Sequence, residues 1–471
     1  MMSADEDERM INSVLAYQDK QLREFTRPDM SVVEDRISAS ESLLASLGYT
    51  LPAKTGTSAT QRRTPIVVHQ PSWDELCADA VAEVGTDVEL RSLFTEEELR
   101  ENALAIRRLN YEFDQLHRLD KMDVAIAALA GLLAGAVDVF MVGLPRRTSD
   151  GLKAGPLSDY IRKALEERYP EDRIKELEKV AKVPYDAQDN RHTMKDVEGL
   201  SSWYHRLYSL GHDPFLGFIV GTFDILTGRM TTIDKTGKFA SQVMENYADR
   251  KESDVFAALA KQFLHLQSDV MTPRGLPVPF MGLFNLLQFG DIGDDGVTVA
   301  EIVQGMYYQQ YDFAHFCSMS VSAMLVEVVV RVAYAIKRVR EGVRLRDAIP
   351  LTTNRERMPK LGTMLFMAHS AATAINAGKM FFGKDPVMAV GSAGAKLVMD
   401  PMALNYPQWI AFGKYSYQQL KWCLVTKPAM RERYVFDVID EELTEVYDDI
   451  DELFADVQRG GILMLPATSL P

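Results

Sequence analysis

Histidine is scarce in this chain, with 8 in 471 residues, and three of them fall in two short segments beside acidic and basic neighbours. In Phe263-Leu264-His265-Leu266-Gln267-Ser268-Asp269 an imidazole and a carboxylate stand at i and i+4. On a helix both occupy one face, at a separation that lets them share a single metal ion. The same spacing also suits a local hydrogen bond. Thr272-Pro273-Arg274-Gly275-Leu276-Pro277, which comes next, stops a helix at once. Upstream, the segment Trp203 to Pro214 holds His205, Arg206, His212 and Asp213, with Gly211 and Pro214 bracketing the last pair in a turn. Turns ahead of buried helices commonly present site residues. Asp213 there is either such a residue or the cap of the helix that follows.

Two further segments share the form G-x-x-x-G-x-x-D: Gly131, Gly135 and Asp138, then Gly217, Gly221 and Asp224. Glycines four apart on a helix let another backbone approach closely, and the aspartate returns to the same face. Each carboxylate therefore points at whatever packs there, as a ligand or as a local pair.

The elements that must position these residues read as helices almost throughout, so the expected fold is all-α: a large multi-helix body with glycine-rich helices that are buried or membrane-associated. Ser31 to Glu34 and Thr95 to Glu98 have the capping-box spacing of a helix start. The expected organisation is an N-terminal helical region at 1–50, a linker at 51–66, a helical segment at 67–120, a main domain at 121–430 that holds the candidate site, and an acidic amphipathic helix with a tail at 431–471. Loops are expected at 145–159, 182–200, 271–279 and 341–359. In the last helix Ile439, Leu443, Val446, Ile450, Leu453 and Val457 form one apolar stripe, expected to pack on the body, with a protein partner or a second copy as the alternative.

Hydrophobic residues make up 47% and charged residues 25% of the chain, which excludes wholesale disorder. A formal charge of -15 has the wrong sign for holding nucleic acid through its phosphates. Three cysteines without C-x-x-C spacing speak against a disulfide framework and a zinc knuckle. Asp5 to Glu8 are acidic where an export signal would be basic, and the longest apolar runs are interrupted by Asp138, by Glu327 and Arg331, or by His369 and Asn376. A cytoplasmic protein, or one on the cytoplasmic face of an inner membrane, is expected. Walker A, dinucleotide-binding, H-E-x-x-H and G-x-S-x-G motifs are absent from the sequence. Asp114/His117 and Asp312/His315 are expected to be capping or surface pairs, and Glu327/Arg331 an internal ion pair. His369, Asn376 and Lys379 share a helix face as core groups or pocket lining.

A glycine-rich apolar helix ending in Asp138, then His205-Arg206 with His212 nearby, then the helix H-x-x-x-D-x-x-T-P-x-G-x-P from His265 to Pro277 resembles the membrane-bound metal-dependent hydrolases of the LexA-regulated inner-membrane type. The last motif is also similar to that of the zinc phospholipase C and P1 nuclease group. The resemblance covers about 60 residues in three patches, and it implies a specific chemistry. Asp138, His212, His265 and Asp269 would hold a divalent metal, Zn²⁺ foremost, that activates water against a phosphodiester or related ester. His205 and Asp213 would serve proton transfer or support, and Arg206 would hold an anionic substrate. The rival expectation is a non-enzymatic helical interaction protein lying in or on a membrane surface.

Overall fold

The computed structural model describes residues 4–25, 42, 46, 71–148, 151–186, 197–201, 203–272, 275–290, 296–352, 354–382 and 399–458. The capping spacing at Ser31 to Glu34 and the linker at 51–66 lie outside the described residues. The protein is all-α. The only sheets among the described residues are two antiparallel hairpins, β1 (Arg146–Thr148) with β2 (Gly151–Lys153) and β3 (Arg229–Ile233) with β4 (Phe239–Val243). In the second, Arg229 stands opposite Val243 and Ile233 opposite Phe239. Neither hairpin was legible in the sequence, because strands this short show no alternation to read.

The helices are α1 (Ala4–Phe25), α2 (Trp73–Val84), α3 (Glu96–His117), α4 (Lys121–Ala136), α5 (Pro156–Arg168), α6 (Glu171–Val180), α7 (His205–Tyr208), α8 (Gly217–Thr227), α9 (Val255–Asp269), α10 (Val299–Tyr308), α11 (Phe313–Arg340), α12 (Leu345–Ala348), α13 (Leu361–Phe382), α14 (Tyr406–Lys421) and α15 (Lys427–Gln458). They fall into two compact units, 1–112 with 438–471, and 113–437. In the first unit α1 packs on α2 around Val14, Cys77 and Ala80. Thr95 and Glu98 form the expected capping box of α3: the Glu98 amide donates to Thr95 Oγ1 at 3.2 Å, and the Thr95 amide to Glu98 Oε2 at 2.7 Å.

In the second unit α4, α11, α13 and α14 make a bundle whose core includes Ala127, Ala130, Ala134, Val326, Val330, Leu365 and Ala368. The paired glycines of α4 act here. A Cβ on Gly131 would sit 2.5 Å from the Ala368 carbonyl oxygen, and one on Gly135 would sit 2.4 Å from Ile375 Cδ1. Alanine and glycine along this face therefore set α4 against α13 at a distance that no larger side chain permits. The second glycine pair, on α8, makes room for the Gln262 side chain of α9 in the same way. Asp224 closes a local bond set, accepting from the Thr231 amide at 2.9 Å and from its hydroxyl at 2.7 Å, which ties the end of α8 to β3.

α15 is one helix across the acidic segment, but Ile439, Leu443, Val446 and Ile450 are 37% to 53% exposed. The expected burial of that stripe is corrected. The 4-3-4 spacing dictates which residues share a face and leaves open what covers it.

Gly131→Ala should lower stability by about 1 to 3 kcal/mol, since overpacking a close backbone contact forces the two helices apart. A thermal melt against the parent checks this; an unchanged melting temperature would show that the contact can relax at no cost.

Candidate metal centre

Helix α9 is amphipathic in the sense the site requires. Asp254 caps it, accepting from the Ala257 amide at 2.7 Å, and its inner face buries Gln262, His265 and Asp269. The chain then folds back on the helix end. A Cβ on Gly275 would lie 2.2 Å from the Asp269 carbonyl oxygen, so only glycine allows the Leu276 amide to reach that oxygen at 3.2 Å. His212 arrives from the short turn after α7. The Gln262 side-chain amide fixes that turn by donating to the Gly211 carbonyl at 2.7 Å, and Gln262 accepts from the buried Tyr185 hydroxyl. The Tyr185 ring stands edge-on to both His212 and His265, with centroids at 4.8 and 5.4 Å.

Asp269 is the hub of the cluster. Arg206 Nη2 holds its Oδ1 at 3.0 Å, leaving Oδ2 turned toward His212 Nε2 at 3.5 Å and His265 Nε2 at 3.4 Å. One ligand atom from each of His212, His265 and Asp269 lies within 4.8 Å of the others, and all three residues are buried. On His265, Nδ1 lies 3.1 Å from the Ala181 carbonyl oxygen. A carbonyl only accepts, so Nδ1 carries the proton and Nε2 turns its lone pair to the cluster, an arrangement common in metal-binding histidines. His212 Nδ1 and Nε2, His265 Nε2 and Asp269 Oδ2 have no hydrogen-bond partner among the described residues. Orphaned polar atoms are rare in a folded interior, and here His212 Nε2, His265 Nε2 and Asp269 Oδ2 face one another.

The electrostatics hold His212 and Asp269 in their ligand forms. Burial, then the neighbouring His265, His205 and Arg206, push the His212 imidazolium well below the ordinary histidine range, so the ring is neutral. Burial alone would raise the Asp269 carboxyl, but the Arg206 guanidinium holds it below its usual range, so it stays ionised. The neutral His212 ring, the Nε2 of His265 and one carboxylate would suit Zn²⁺. Arg206, His265 and Asp269 form one wall of a cavity of about 290 Å³, whose other walls carry Lys175, Lys179, Lys182 and Arg250 with Glu178 and Asp186. A positive excess at the lip suits an anionic ligand.

The other expected site residues lie as follows. His205 is buried, with its ring edge-on to His212 at 5.3 Å, and supports that ring. Arg206 is committed to Asp269 and orients the ligand carboxylate. Asp213 is a structural cap: Oδ1 accepts from the Phe215 and Leu216 amides, both at 2.9 Å, and Oδ2 accepts from the Phe280 amide. With three backbone amides on its carboxylate, Asp213 takes the capping role that the sequence offered as the alternative to a site residue. Asp138 is corrected, because it belongs to another polar cluster. Its carboxylate accepts from Lys379 Nζ at 3.1 Å, Asn376 Nδ2 at 2.7 Å and Asn405 Nδ2 at 2.8 Å, within the α4, α11, α13 and α14 bundle.

The sequence reading missed the contributions of Tyr185, Gln262 and the cationic lip. Lys175, Lys179 and Lys182 follow the helical spacing of a solvated face, and nothing in that spacing tells a lip from any other surface. Asp114 and His117 do not pair with each other: Asp114 binds Lys427 at 2.7 Å and His117 Nδ1 meets the Phe113 carbonyl at 2.9 Å. Two further pairs resolve as expected. Asp312 caps α11 through the His315 amide at 3.0 Å and binds Arg162, and Glu327 pairs with Arg331 at 2.8 Å.

No protein-family model matches the chain, and no curated protein or solved structure matches it.

Two substitutions separate the two clusters. His265→Ala should abolish stoichiometric Zn²⁺ binding, read by metal analysis of dialysed protein or by calorimetric titration. Asp138→Ala should leave the metal stoichiometry intact while costing about 3 to 5 kcal/mol, because it removes the carboxylate of a buried ion pair. Metal lost equally from both variants would mean that the two clusters are one.

Proposed function

We propose that the protein is a metal-dependent hydrolase of an anionic ester, a phosphodiester or a close relative, with His212, His265 and Asp269 as the metal ligands. The observation that carries this reading is the convergence of three buried ligand atoms, His212 Nε2, His265 Nε2 and Asp269 Oδ2, none with a hydrogen-bond partner among the described residues, where His265 and Asp269 line a cavity with a cationic lip. A bound Zn²⁺ or similar ion supplies two things there: it acidifies water and takes up charge on the reacting oxygen.

The chain's own residues do the rest. Arg206 fixes the Asp269 carboxylate so that one oxygen faces the imidazoles. The Ala181 carbonyl selects the His265 tautomer, and Tyr185 and His205 wedge the His212 ring in place. Lys179, Lys182 and Arg250 favour a negatively charged substrate before any chemistry occurs, since cationic clefts concentrate anions. Glu178 in the cavity wall is held above its usual range by loss of solvent and by the Asp269 charge, which suits a carboxyl that passes a proton to a leaving oxygen. The donor set also serves Fe²⁺, and metal analysis separates the two ions.

The test is hydrolysis of bis(p-nitrophenyl) phosphate by the full chain loaded with Zn²⁺, Mn²⁺ or Fe²⁺. Turnover is expected with at least one ion and should vanish in Asp269→Asn. Lys182→Gln with Arg250→Gln should raise KM several-fold with kcat nearly unchanged, the pattern of lost uniform binding. Turnover that survives Asp269→Asn, or a metal-loaded protein that hydrolyses no phosphate ester, would end this reading.

A further inference from the structure

The α4, α11, α13 and α14 bundle carries a buried polar seam beside its apolar core, and it is apolar outside. Its interior carries Asp138 with Lys379, Asn376 with Asn405, and Ser322, Gln408 and His369, all buried. Its exterior carries long apolar stripes. On α11, Met324, Val328, Val332, Ile336 and Val339 are between 41% and 57% exposed, at spacings of four or three residues that keep them on one face. On α4 and the wide turn that continues it, Leu129, Leu132, Leu133 and Phe140 are between 49% and 65% exposed. The apolar windows of the helical stretches 96–142 and 313–340 have mean hydropathies of 2.2 and 1.8, yet only 33% and 28% of each is buried within the protein. A helix that earns such hydropathy in an aqueous core is mostly buried; these present their apolar surface outward.

Length and charge identify what covers them. Residues 121–142 span about 33 Å at 1.5 Å per residue, close to the roughly 30 Å hydrocarbon thickness of a bilayer. Between α11 and α13, residues 338–360 hold seven basic residues against three acidic ones, in a chain whose net charge is -15. Arg340, Arg344 and Arg346 in this loop are exposed and form no ion pair with a carboxylate among the described residues. At the same end, Val332, Ile336 and Val339 of α11 face Leu345, Ile349 and Leu351 across an apolar cleft of about 660 Å³ flanked by Arg340. An apolar cleft with a cation at its edge matches an acyl chain with an anionic headgroup.

We infer that this bundle is seated in an anionic lipid bilayer, with the outer faces of α4 and α11 in contact with acyl chains and Arg340, Arg344 and Arg346 on lipid phosphates. The buried polar seam is then the interior of a membrane bundle, where polar side chains find one another because lipid offers them no partner. This inference is independent of the hydrolase reading.

Membranes from cells expressing the full chain are washed with alkaline carbonate, and detergent-purified protein is floated with vesicles of phosphatidylcholine alone or mixed with phosphatidylglycerol. The chain should resist the carbonate wash and float with both vesicles, more strongly with the anionic ones. The triple variant Arg340→Gln, Arg344→Gln, Arg346→Gln alters only exposed positions. It should keep the helical circular dichroism of the parent while its extra partition into anionic vesicles falls by about 100-fold. A chain that is monodisperse in buffer without detergent and floats with neither vesicle overturns the inference, as does a detergent-free dimer that shields Val332→Cys from thiol reagents, since a second copy would then be the cover. Equal partition of parent and triple variant into anionic vesicles removes the assignment of the three arginines.

Discussion

A carboxylate with almost no access to solvent stays ionised only where a fixed positive charge offsets the water it has lost. Arg206 does this for Asp269 at 3.0 Å, and the rest of the candidate site depends on that contact. It joins α7 to the end of α9, and it takes one carboxylate oxygen out of play so that the other is presented to the two imidazoles. It also adds to the positive field that keeps His212 neutral. Without the pair, burial would favour a protonated Asp269, and the same three residues would be an ordinary hydrogen-bonded group. The close approaches at Gly211 and Gly275 bring the turn and the returning chain within reach of that pair.

The second buried pair, Asp138 with Lys379, solves the same electrostatic problem for a different purpose. All of its charge is absorbed internally: two asparagine amides complete the shell of the carboxylate, and Asn405 passes the network on to Ser322. No orphaned atom is left at the Asp138 carboxylate to receive a ligand. Breaking such a pair costs more than forming it contributes, so its value lies in fixing the register of four helices rather than in binding. The contrast between a saturated cluster and an unsaturated one separates a structural polar cluster from a candidate ligand site in this protein.

Local rules carried far into the fold. The all-α class, the capping box at Thr95, the helix from Val255 to Asp269 with its abrupt stop, and the close-packing role of Gly131 and Gly135 follow from spacing and residue type, since each depends on groups within a turn or two of one another. The pairing of His265 with Asp269 belongs to this kind, as does the capping role of Asp312. Asp213 was legible only as a choice between cap and ligand, and the amide of Phe280, distant in sequence, completes the bonding that decides it.

What the chain by itself determined is the set of residues that must share a face: His265 with Asp269, Gly131 with Gly135 and Asp138, Ile439 with Leu443. Helical geometry supplies that without any knowledge of neighbours. Only the tertiary structure decided what each face meets. It brought His212 and Arg206 to Asp269 across α8, the β3–β4 hairpin and the length of α9, sent Asp138 to Lys379 instead of the histidines, and left the stripe of α15 exposed. The physical reason is that a carboxylate goes where its charge is best offset, and the cations that compete for it, Arg206 and Lys379, are set beside their partners by packing between distant helices, which no local spacing encodes.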